Sequence, residues 1–165
     1  MTRSEALLME FEREADKTRK MLERVPLDKA DWKPHEKSFT LGRLASHVAE
    51  IPGWANVTLN QDELDFSKMD YKPVVAETTE DLLKLFDEKR AGAAEAIKNA
   101  TDEVLMSDWT MRDGDTVFFT APKIGVLRDF VLNHVIHHRA QLGVYLRMND
   151  VPVPQTFGPT ADEQM

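Results

Sequence analysis

The chain has no cysteine. That removes disulfides, thiolate nucleophiles and every metal site that needs sulfur, so a transition ion would have to be held by nitrogen and oxygen. Seven glycines and eight prolines in 165 residues are too few for a fibrous or low-complexity chain. No stretch is long, apolar and uncharged enough for a membrane helix, and the N-terminal MTRSEALLMEFERE has no signal-peptide core. With the absence of cysteine, this points to a cytoplasmic protein with no membrane partner. Positive charge is also short: 21 basic residues face 29 acidic ones, a net charge of −8. The largest basic excess, Lys17 to Arg24, is interrupted by Glu23, so nucleic acid is not an expected partner.

What is present suits one domain over residues 1–165, with 42% hydrophobic content. Thr2 and Glu5 form a T-x-x-E capping box, and Leu8, Phe11, Ala15, Thr18, Leu22 and Val25 follow at helical spacing, so a first helix runs to about Arg24. PLDKADWKPHEKSF breaks it. Thr40 caps a second helix, LGRLASHVAEIPGWANVTL, which Pro52 should kink or break. Residues 60–77 read as a loop, and a third helix starts at Thr78 or Thr79. DWTMRDGDTVFF reads as a hairpin turning at Asp113-Gly114. A last helix spans roughly Pro122 to Met148, and a proline-rich extended tail follows. The economical architecture is all-α: a four-helix bundle with one long crossover connection and a small β-hairpin before the last helix.

The last helix carries NHVIHHRAQLGVYLR, with three of the chain's five histidines. At about 100° per residue, His134 and His138 share a face with Leu127, Val131, Gln141 and Tyr145, which places them at the centre of the apolar stripe. His137 falls at its edge, as a residue beside the site or at the solvent margin. An i, i+4 histidine pair puts two ring nitrogens one turn apart, the spacing one ion needs from a helix. On the second helix His47 shares a face with Leu44, Ile51, Trp54 and Thr58. A lone inward histidine is commonly a hydrogen-bonded core residue, and that alternative stands for His47. Two buried imidazoles without a metal would each need a separate partner, which favours ligation for His134 and His138.

Other templates are weaker. Ser46 and His47 diverge by about 100° and form no nucleophile–base pair. Glu50, three residues after His47, is a candidate acid/base, a carboxylate supporting a ligand, or a solvated charge. Trp54 and Tyr145 are core residues or pocket walls, and His35 is a surface residue. Leu132, Ile136 and Gly143 lie on the back of the last helix, where either a second subunit or the hairpin or tail would cover them.

SFTLGRLASHVAEIPGW, NHVIHHRAQLGVYLR and VPVPQTFGPTADE together resemble the DinB-like (damage-inducible) family of bacterial metalloenzymes, across nearly the whole chain. The resemblance implies a four-helix bundle, commonly a homodimer, with a divalent metal held by one histidine of the second helix and an H-x-x-x-H pair of the last. These map onto His47, His134 and His138. Some members carry a carboxylate at one of these positions; this chain keeps all three histidines. Characterised relatives include thiol-dependent S-transferases and isomerases that use bacillithiol or mycothiol. The expectation is therefore a zinc- or nickel-dependent transferase or hydrolase acting on a small molecule, with a low-molecular-weight thiol as a possible co-substrate. The alternative is a non-catalytic stress-response bundle that binds a metal or small ligand. Because imidazoles must be neutral to ligate, metal affinity should fall as pH drops through the histidine range near 6.5.

Overall fold

The computed structural model describes residues 1–164. It is mainly helical, with a small three-stranded sheet, and the order of elements explains where the histidines meet. Helix α1 (Arg3–Leu22) starts at the capping box: Glu5 N donates to Thr2 Oγ1 at 3.1 Å, and Thr2 N donates to Glu5 Oε2 at 2.7 Å. Thr40 caps α2 (Leu41–Glu50) through Arg43 N. Pro52 sits in a 3₁₀ turn (Ile51–Gly53), after which the chain resumes as α3 (Trp54–Asn60). Proline lacks the N–H that an uninterrupted helix would need there. Thr78 caps the long α4 (Thr79–Asn99). Helix α1 packs on α4, α4 on α2, and both α1 and α2 on the last helix.

The crossover is more structured than a loop. It holds a short strand, β1 (Glu63–Asp65), and ends tied to α2, where buried Ser46 Oγ accepts from Ala76 N at 2.9 Å. Strand β1 runs parallel to β2 (Asp108–Asp113), which pairs antiparallel with β3 (Thr116–Pro122). The expected hairpin is thus part of a sheet ordered β1-β2-β3, and an all-α description is corrected accordingly. Its turn residues are Gly114-Asp115, one position later than expected, and Gly114 has φ +55°, as suits glycine at the first central position of a hairpin turn. Asp65 Oδ1 accepts from Gly114 N and from Ser67 N and Oγ. Those bonds, the Ser67 hydroxyl's foremost, hold its carboxyl far below the usual range and fasten the crossover to the hairpin. A short helix, α5 (Asp102–Met106), also not anticipated, precedes β2 and β3.

The last helix runs from α6 (Lys123–Leu127) through a π-helical segment (Arg128–Asn133) into α7 (His134–Met148). Its buried face is Val131, Leu132, Val135, Arg139, Leu142 and Leu146. Leu127 and Val131 are buried as expected, whereas from His134 onward the stripe lies about one residue, or 100°, away from the predicted one. His134 and His138 are half-buried on its flank, and His137 is exposed. Arg139, though charged, is only 2% exposed. It donates to Glu14 Oε2 at 2.6 Å, to Glu14 O at 3.0 Å and to Thr18 Oγ1 at 3.1 Å, so its charge is paired inside the core.

The back of this helix is covered within the chain. Leu132 belongs to the core, and Met21 and Val153 lie beside Gly143. The tail is not simply extended: Asp162 accepts from Val153 N and pairs with Arg147, and Thr160 Oγ1 donates to Val153 O.

Candidate metal centre

Helix α2 supplies His47, and α7 supplies His134 and His138 one turn apart. The packing of α2 on α7 brings the three rings together, with centroids 5.0 Å apart for His47–His134, 4.7 Å for His47–His138 and 4.8 Å for His134–His138. One ring nitrogen from each lies within 4.8 Å of the other two, and the Nε2 atoms of His47 and His134 are 3.2 Å apart. Two donors on a tetrahedral ion with bonds of about 2.0–2.1 Å sit roughly 3.4 Å from one another. The His47–His134 pair has that spacing already.

The outer ring nitrogens of His134 and His138 are spoken for. His134 Nδ1 lies 3.3 Å from Phe130 O, and His138 Nδ1 lies 2.7 Å from Gln141 Oε1. Both acceptors require a proton on Nδ1, which leaves each Nε2 lone pair free. This is the arrangement by which a supporting acceptor fixes the tautomer of a ligating histidine. Burial holds all three imidazoles below their ordinary pKa. For His47 burial acts first, then repulsion from His138, His134 and Arg43, and its value falls to about 4. For His134, burial and the charge of His138 outweigh the Phe130 carbonyl. For His138, burial outweighs the Gln141 amide. Neutral nitrogen donors of this kind are what a borderline divalent ion takes. The cluster is compatible with a metal ion and does not by itself select one.

His137 lies outside the cluster. Its ring stands edge-on to His138 with centroids 4.7 Å apart, and the residue is exposed. His35 is exposed, as expected. Glu50 borders the site without bonding to an imidazole among the described residues. Its Oε2 accepts from Arg43 Nη1 at 3.1 Å and from the Tyr71 hydroxyl at 3.2 Å. Arg43 also donates to the Tyr71 oxygen at 3.1 Å. Trp54 lines a cavity next to His47, whereas Tyr145 packs edge-on against Trp32 and donates to Phe39 O. Arg43 was findable, since it stands one turn before His47 on the same helix. Tyr71 was not, because it comes from a connection without periodicity.

This geometry can be set beside known proteins. A curated relative, the uncharacterized protein YrdA of Bacillus subtilis (strain 168), is 27% identical over 159 residues, covering 94% of this chain and 89% of its own. A crystal structure of a DinB-like protein from Bacillus cereus ATCC 10987 superposes with a TM-score of 0.70 at 23% identity, over 93% of this chain and 97% of that one. A DinB-like protein of Bacillus subtilis, YjoA, gives 0.69 at 20% identity, over 92% and 97%. At those identities the two structures speak for the fold alone. The DinB family profile matches residues 1–164, and this protein belongs to the DinB family.

Proposed function

We propose that this protein is a divalent-metal-dependent enzyme whose ion is held by His47, His134 and His138 on facing helices of a four-helix bundle. The observation that carries the reading is the convergence of three pKa-lowered imidazoles, two with their outer nitrogens fixed, beside a cavity of about 390 Å³. Three protein ligands leave coordination positions for water or substrate, which separates catalytic from structural sites. A divalent ion, when bound, supplies Lewis acidity that brings the pKa of a thiol or water into the neutral range.

The chain's own residues have separable parts in this reading. Phe130 O and Gln141 orient two of the imidazoles. Arg43 and Tyr71 hold the Glu50 carboxylate at the cavity wall, where release from either partner would let it take a proton from an incoming nucleophile. Trp54 and Met69 supply an apolar wall on one side. The proposed reaction is transfer of a low-molecular-weight thiol of the bacillithiol or mycothiol type to a small electrophile, with hydrolysis as the second reaction class. Zinc and nickel are the proposed ions, since imidazole suits both. Cytoplasmic location and a homodimer are proposed with it, the dimer on the family resemblance.

The test is a conjugation screen of the purified chain loaded with zinc or nickel, using bacillithiol or mycothiol against a panel of electrophiles and water. Turnover that a chelator abolishes and the metal restores is expected. Stoichiometric metal binding without turnover of any thiol or ester would instead support a non-catalytic, stress-response binding protein.

A further inference from the structure

The cavity beside His47 is within the size range of small-ligand sites. Much of its wall is apolar, from Trp54, Val57, Leu64, Phe66 and Met69. Its charged groups do not cancel. Glu50 is neutralised by Arg43 at 3.1 Å, Tyr71 is uncharged at neutral pH, and Lys89 remains. Lys89 projects from α4, where its neighbours three and four residues away are Leu85, Phe86, Gly92 and Ala93. None is an acid. The ion pairs of α4 are made by Asp87 and Arg90, and Lys89 takes no part in one among the described residues. Its position is built by the turn between α2 and α3. A Cβ on Gly53 would come within 3.0 Å of Lys89 Cδ, so the lack of a side chain there lets the lysine stem lie across the turn at the cavity wall. A chain of net charge −8 thus presents one surplus positive charge, that of the exposed Lys89, at the rim of an apolar cavity, where the low-dielectric wall on one side strengthens its field.

We propose that this cavity binds a small organic anion, with its apolar body against Trp54, Leu64 and Phe66 and its anionic group on the Lys89 ammonium. This names the substrate class of the proposed enzyme and rests on that reading only for turnover, since the binding itself needs no ion. A charge-assisted hydrogen bond contributes enough to separate an anion from its neutral counterpart by roughly tenfold or more.

The experiment compares phenylbutyrate with phenylbutanol by calorimetry on the full chain, once with chelator and once metal-loaded. In the chelated protein, phenylbutyrate binds roughly tenfold more tightly than the alcohol. Lys89→Gln brings the acid down to the alcohol's affinity and leaves the alcohol unchanged. The same substitution at Lys98, exposed on α4 and outside the cavity, leaves the preference intact. Equal affinity of the two probes, binding of neither, or a preference that survives Lys89→Gln or is lost in Lys98→Gln overturns the proposal. Zinc titrated into the metal-free wild type reads the metal site separately, so a failed metal site and a failed anion site give different results.

Discussion

At the scale of residues, the 3.2 Å contact between His47 Nε2 and His134 Nε2 sets the terms. With a proton on His134 Nδ1 toward Phe130, its Nε2 carries a lone pair, so without metal His47 must donate an Nε2 proton. For the Nε2 atoms of both residues to hold a divalent ion, His47 would have to carry its proton on Nδ1 instead. His138→Ala is expected to abolish stoichiometric metal binding by calorimetry while the helical far-UV signal persists, and exposed His137→Ala is expected to keep the ion. The reverse order would mean that the wrong imidazole has been assigned. The i, i+4 pair was legible from its spacing alone. Gln141 was legible as a neighbour on the same face, but the Phe130 carbonyl beside His134 was not, because a backbone carbonyl leaves no trace in a sequence. Burial also changes the pH window. A folded-state pKa below the unfolded one means that the unfolded chain takes up protons first, so the stability tied to these neutral imidazoles is intact above about 6.5 and is lost as pH falls toward the value of about 4 for His47. The melting temperature of the chelated protein should fall over that window, and less steeply in His47→Ala. Burial lowers the pKa of all three imidazoles of the chelated site, so the stabilisation by metal should narrow only at lower pH than three hydrated histidines would give. A gap that already closes at pH 6.5 contradicts this.

Among the elements, the last helix shows where pattern reading succeeds and where it slips. Its extent was legible from periodicity. Its phase was displaced because Arg139, a charged residue, occupies the core position that periodicity assigns to an apolar one, and because the π-helical turn before His134 departs from 3.6 residues per turn. Strand β1 escaped notice because three residues, ELD, show no alternation and their partner strand lies far along the chain. The threonine caps of α1, α2 and α4 were read correctly because capping is a local side-chain-to-backbone bond. Arg139→Met tests the buried pair. Removing one partner of such a pair costs about 3–5 kcal/mol, and the lower end applies here because Lys17 still pairs with Glu14 at 2.7 Å. Urea denaturation should show a loss of about 3 kcal/mol, and the double variant with Glu14→Leu should lose less than the single one. A loss below about 1 kcal/mol would place Arg139 at the surface after all.

For the whole molecule, acidity and assembly are the open dimensions. The proposed homodimer cannot use Leu132, which is buried in the core, or Gly143, which Met21 and Val153 cover, whereas Val144 and Met148 on α7 are exposed. Sedimentation at micromolar concentration should give twice the chain mass of 18.8 kDa, and a single-chain mass rejects the dimer. The net charge of −8 raises a different issue. Scattered carboxylates attract divalent ions loosely, so bound metal alone does not locate a site, although salt weakens such binding. Ligand identity does locate it. X-ray absorption of the zinc-loaded chain counts the imidazoles around the ion: three, at about 2.0–2.1 Å, are predicted for the wild type, and loss of that signal for the variant with alanine at His47, His134 and His138. A shell of oxygen alone in the wild type, or an unchanged spectrum in the triple variant, would contradict the metal site.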